Sequence, residues 1–270
     1  MSQHIIAHLS AADPVMGALI AAVGPYAPEP HEEVHPFQVL THAIAHQQLN
    51  GTAAATILRR LVEACGAGGF PSPEWVIAAE PARLRAAGFS FAKIAALKDL
   101  AAKTLEDVVP GHAVLAALGD EEIVARLTQV RGIGRWTVEM LLMFRLGRED
   151  VLPVDDFGVR AGFRAAYGLK SMPHPRALHA YGERWRPFRS AAAWYLWRAL
   201  ELKRAGTLPA PALKTRMPQV PRRRRIRAAP RKRARAPVAA RRPAPKTLKR
   251  TARRPARNPV RNKPARRARK

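Results

Sequence analysis

The sequence predicts an all-α body, residues 1–208, followed by a disordered tail, residues 209–270. Apolar residues in the body recur at three- and four-residue spacing, and strand-like period-two alternation is absent or marginal. Capping residues and prolines mark where these segments begin, and glycines mark where several end. The tail has a different composition: from Pro211 to Lys270 there are 25 Lys and Arg and no Asp or Glu.

Asp13-Pro14 places a cap before a first-turn proline, and the helix they start runs to Val23, where Gly24-Pro25 stops it. A connector rich in His, Pro and Glu follows from Tyr26 to His35. The next helix, Pro36 to about His46, carries Phe37, Leu40 and Ile44 on one side and ends at Gln47-Gln48-Leu49. Asn50 caps a helix reaching Cys65, whose small Ala53-Ala54-Ala55 face permits close packing. Ser72-Pro73-Glu74 and Pro81 begin two short helices, with Gly88 closing the second. A long helix is expected from Ser90 to Val109, before Pro110-Gly111.

A helical hairpin over about residues 120–146 comes next. Asp120-Glu121-Glu122 are expected to cap its first helix, which runs through Ile123 to Val130, and Trp136 to Leu146 form its second. Between them Gly132-Ile133-Gly134 makes a tight turn, for which glycine supplies the positive φ. Exposed N–H groups at the second helix's start, aided by its dipole, suit a phosphate oxygen. After Gly147 a loop ends in Pro153-Val154-Asp155-Asp156, at the start of a helix from Phe157 to Tyr167. Helical segments His174 to Trp185 and Pro187 to Lys203 complete the body. An aspartate at a helix start is usually a cap and a glycine turn is common, so neither feature alone names a chemistry.

Composition narrows the class. The body is near neutral, with 22 basic residues against 20 acidic, while the tail supplies most of the formal charge of +27. Such a tail cannot bury enough apolar surface to offset chain entropy, and it binds polyanions without sequence preference by releasing condensed counterions. One cysteine, Cys65, excludes an internal disulfide and a four-thiolate iron–sulfur cluster, and points to a reducing compartment. No secretory signal or membrane-spanning run is legible, so the expectation is a cytoplasmic, nucleoid-associated protein, or a nuclear one. His42 and His46 lie four apart without further metal ligands, so no catalytic metal is expected.

Four ordered blocks carry a family resemblance: Gln47-Gln48-Leu49, Arg131 to Thr137, Leu152 to Asp156, and Glu183 to Ser190. Over most of residues 1–205 the chain resembles the helix-hairpin-helix DNA glycosylases, and within them the DNA-3-methyladenine glycosylase II type. The resemblance implies two helical subdomains and a monofunctional hydrolase. Such an enzyme flips an alkylated purine out of duplex DNA and cuts its N-glycosidic bond for base excision repair.

It assigns Asp156 as the catalytic carboxylate, with Asp155 left to capping, and Trp136 and Trp197 as an aromatic pocket attracting a cationic base. It places the DNA wedge at Gln47, Gln48 or Leu49, and the phosphate grip at Gly132, Ile133, Gly134 and Arg135, with Arg189 a further phosphate candidate. Lyase-type relatives carry a lysine where Trp136 stands, so no Schiff base is expected. No cofactor is implied beyond a structural monovalent cation at the hairpin. Expected partners are alkylated duplex DNA for a monomeric body and nonspecific DNA for the tail. The competing reading is a non-enzymatic protein that grips and compacts DNA, which would need the hairpin but neither the acid nor the tryptophans.

Overall fold

The computed structural model describes residues 2–28, 34–66, 68–211 and 217–218. The expected disordered tail, residues 209–270, falls almost wholly outside the described residues.

Every regular element among the described residues is helical. In chain order they are α1 (Ser2–Ala12), α2 (Pro14–Val23), α3 (Pro36–His46), α4 (Gly51–Cys65), α5 (Pro73–Ala78), α6 (Pro81–Ala87) and α7 (Phe91–Leu105). After these come α8 (His112–Ala117), α9 (Asp120–Leu127), α10 (Arg135–Phe144), α11 (Phe157–Ala166), α12 (Pro175–Gly182), a 3-10 turn (Glu183–Trp185) and α13 (Arg189–Ala205). None of these helices is long and apolar enough to cross a membrane.

Local chemistry accounts for many of the starts. Asp13 accepts from the amides of Val15 and Met16, Asn50 from Ala53, Ser72 from Trp75 and Ser90 from Lys93. Packing sorts the helices into two lobes: α3 to α7 around one core, and α1, α2, α11, α12 and α13 around another, with α9–α10 joined to the first through α3. In the second lobe α11 and α13 touch backbone to backbone. A Cβ on Gly162 would sit 1.8 Å from the Leu196 carbonyl oxygen, so only glycine fits. The same lobe is tied by Asp13, 1% exposed, whose second carboxylate oxygen accepts from the Tyr167 hydroxyl (2.8 Å) and the Trp185 indole N–H (3.1 Å).

Several boundaries depart from the sequence reading. Helix α1 was not expected, yet it buries Ile5 and Leu9 against the second lobe. The long helix stops at Leu105, where Asp107 takes φ +55°, and a separate α8 fills the interval before the hairpin. The hairpin's first helix ends at Leu127 and its second at Phe144, and α13 begins at Arg189 instead of Pro187. The acids at Asp120 to Glu122 sit inside the first turn of α9, whose cap is Gly119 with no side-chain hydrogen bond.

Candidate active site

The hairpin turn is pinned from below and open above. Ile133 is buried, Gly132 takes φ +79°, and the Arg131 amide donates to Asp99 of α7 at 2.7 Å. Gly134 caps α10 without a side chain, leaving exposed residues Gly134, Arg135 and Trp136 with backbone N–H groups that find no acceptor among the described residues. This is an anion cradle in the geometric sense. Arg135, expected beside it, is instead engaged fork to fork by Glu121 at 2.9 and 2.6 Å. Arg189 is a clearer correction. It is buried and bound by the Asp150 carboxylate (2.6 Å), the Asp150 carbonyl (2.8 Å) and Glu183 (3.2 Å), so it braces the loop before α11 and cannot reach a phosphate.

Asp156 stands at the convergence of three helices. Its Oδ2 accepts from the Trp136 indole N–H of α10 at 2.8 Å. Its Oδ1 accepts from the Trp197 indole N–H of α13 at 2.9 Å and from the Val159 amide of α11 at 2.7 Å. The cap of α11 is therefore Asp156, and Asp155, expected in that role, is exposed. Three N–H donors on one carboxylate fix its rotamer. Gly158 makes the arrangement sterically possible: a Cβ there would lie 2.7 Å from Trp197 Cδ1 and 3.0 Å from Asp156 Oδ1.

A groove of about 410 Å³ opens between α3 and α10 beside this carboxylate. Trp136, 49% exposed, forms one end of its α10 wall, followed by Met140 and Phe144, and Phe144 stacks on Trp197 at 5.7 Å. Gln47 and Gln48 close the end nearest the hairpin. Gln47 is tied down, its side-chain amide donating to the Gly132 carbonyl at 2.8 Å. Gln48 has φ +58° and is exposed, and Leu49 beside it is 41% exposed. A non-glycine residue at positive φ is uncommon and points to a held conformation.

Behind the hairpin a second cleft, of about 740 Å³, contains Glu139. Glu139 is 7% exposed, with Arg135 Nη1 3.9 Å from its carboxylate. Burial pushes its pKa up to about 7; Arg135 opposes that, and Asp155, Glu121 and Asp156 add to it.

Residues 41–187 match the HhH-GPD superfamily base excision DNA repair proteins. The chain belongs to that superfamily. DNA-3-methyladenine glycosylase 1 of Schizosaccharomyces pombe is 41% identical over 196 residues, covering 72% of this chain and 86% of the relative. A solved structure of a Schizosaccharomyces pombe 3-methyladenine DNA glycosylase in complex with abasic DNA superposes with a TM-score of 0.65 at 41% identity, over 72% of this chain and 95% of that one. The DNA-3-methyladenine glycosidase of Bacillus halodurans gives a TM-score of 0.68 at 30% identity, over 74% and 91%.

In this superfamily member the folded chain brings Trp136, Asp156 and Trp197 into direct contact and sets Gln47, Gln48 and the hairpin turn at one end of the adjoining groove. Sequence reasoning missed Glu139, Gly158 and the groove wall of Met140 and Phe144. The i, i+4, i+8 spacing of Trp136, Met140 and Phe144 was visible, but a core stripe has the same period.

Proposed function

We propose that the chain is a monofunctional DNA glycosylase acting on alkylated purines in duplex DNA. The observation that carries this reading is the Asp156 carboxylate, held by both indole N–H groups at the edge of an open, largely apolar groove. A protein that only grips DNA has no use for that construction.

In this reading the open amides of Gly134, Arg135 and Trp136 take a backbone phosphate, and the turn between α3 and α4 enters the duplex. With Gln47 bound to the hairpin, the inserting groups are Gln48 and the neighbouring Leu49. The extruded base enters the groove and stacks on Trp136, where a cationic alkylpurine gains roughly 0.5–2 kcal/mol over a neutral base. As the glycosidic bond lengthens, positive charge develops on the sugar, and the fixed carboxylate of Asp156 stabilises it and accepts a proton from the attacking water. Trp136 stands where an amine nucleophile would be needed for strand cleavage, so the product is an intact strand with an abasic site.

No cofactor enters the chemistry. The Gly132 carbonyl receives Gln47 and that of Val130 receives the Ile133 amide, and each oxygen keeps a second lone pair. A monovalent cation held there would brace the phosphate grip. The basic segment from residue 211 onward adds salt-sensitive affinity for DNA of any sequence.

The test is single-turnover base release and strand cleavage on duplexes containing 3-methyladenine or 7-methylguanine, for wild type and Asp156→Asn. Release with cleavage only after alkali, slowed by about 10²–10³-fold in the variant, is the expected result. Tight DNA binding with no base released by wild type would overturn it.

A further inference from the structure

We propose that Arg145 is a specificity-determining residue that reads the acceptor edge of a flipped 6-oxopurine. The proposal rests on the glycosylase reading above and concerns the inner end of the same groove.

The groove has two unlike ends. Because Gln47 reaches the Gly132 carbonyl, α3 and α10 run antiparallel, and the hairpin end of the groove holds Gln48 and Trp136. Arg145 lines the opposite end, nine residues further along, or roughly 13 Å at helical rise. Between them the walls are chiefly apolar, made by Val39, Ala43, Met140, Leu141 and Phe144, with His46 on the α3 side.

Arg145 itself is half-buried at the C-cap of α10. Its backbone carbonyl meets His112 Nε2 at 3.2 Å, which anchors the residue. Among the described residues no carboxylate pairs with its guanidinium, unlike those of Arg135 and Arg148 elsewhere on the hairpin and the loop after it, although several other arginines also lack an acid partner. Its charge is felt on neighbouring α3, outside the groove lining: burial first, then His46 and Arg145, hold the His42 imidazole below its usual pKa. A half-buried arginine with no acid partner at the far end of a chiefly apolar groove can donate to an acceptor on a bound ligand.

Guanidinium donates only. It matches the paired O6 and N7 acceptors of a 6-oxopurine and has nothing to offer a 6-amino group. It also repels a base that carries positive charge. Trp136 and Arg145 therefore pull in different directions: stacking favours the cationic 3-methyladenine, and the inner edge favours neutral hypoxanthine. 7-Methylguanine, cationic but keeping O6, falls between them.

The experiment is single-turnover release of hypoxanthine and of 3-methyladenine from matched duplexes by wild type, Arg145→Met and Arg145→Lys, with folding of each checked by thermal melting. Arg145→Met is expected to lower the ratio of hypoxanthine to 3-methyladenine release by about 5- to 150-fold, the range for losing one bidentate base contact. Arg145→Lys, with charge but no fork, is expected to fall between. An unchanged ratio in both variants overturns the proposal, whether the two rates fall together or not at all. So does a wild type that releases 3-methyladenine but no hypoxanthine, although the glycosylase reading then survives. A wild type that releases neither base sinks both.

Discussion

Replacing Glu139 with Gln should make the protein more stable, and the gain should depend on pH in a defined way. Glu139 is buried behind the hairpin, and its pKa is raised from 4.5 to about 7. Below about pH 4.5 the folded and unfolded chains both hold the proton, and the residue costs nothing. Between pH 4.5 and 7 the folded chain keeps a proton that the unfolded chain has released, so stability falls as pH rises. Above pH 7 the loss is complete, with an upper bound of roughly 3 kcal/mol at 1.36 kcal/mol per unit. Solvent screening from the adjoining cleft reduces this, so about 1–3 kcal/mol is the expected gain for Glu139→Gln at pH 8, falling to near zero at pH 4.5. Glutamine keeps the shape of the protonated acid and does not titrate. Urea unfolding of both proteins across pH 4.5–8 measures the difference directly. A difference that is flat with pH, or that grows as pH falls, would refute the reasoning.

Two further outcomes follow from the site and the tail. Trp197→Phe keeps an aromatic ring against Phe144 but removes one N–H from Asp156; single-turnover excision should fall by about 10- to 100-fold, as for a hydrogen bond to a charged group, with little change in DNA affinity. A loss of affinity with excision intact would mean that Trp197 serves the DNA and leaves the carboxylate alone. Removing residues 211–270 should flatten the dependence of DNA binding on salt while leaving excision from a saturated complex largely unchanged, and a collapse of that excision would contradict the division of labour.

What the sequence disclosed follows the reach of the interactions concerned. Asp13 and Asn50 were legible as caps, and Ser72 and Ser90 as helix starts, because each bonds an amide two or three residues away. The aspartate pair was legible as a site, but not which member caps: Asp156 wins because Trp136 and Trp197, distant in sequence, orient its carboxylate over the Val159 amide. Arg189 read as a phosphate contact because the partners that engage it, Asp150 and Glu183, could not be assigned to it from the sequence. Arg145 went unnoticed for the complementary reason, since an absent partner leaves no mark in a sequence. Helix α1 was missed because its burial depends on helices near the other end of the described chain.

That last dependence bears on how the protein is made. The Asp13 carboxylate binds Tyr167 and Trp185 across separations of 154 and 172 residues, and α2 packs on α13. During synthesis the opening helices therefore leave the ribosome long before their binding surface exists, whereas α3 to α7 can collapse on one another as they appear. The same late docking brings Trp197 to Asp156. A nascent or truncated chain lacking α13 thus holds Asp156 without its Trp197 donor beside an already formed hairpin; on the glycosylase reading proposed above, it would hold DNA before it could cut a glycosidic bond.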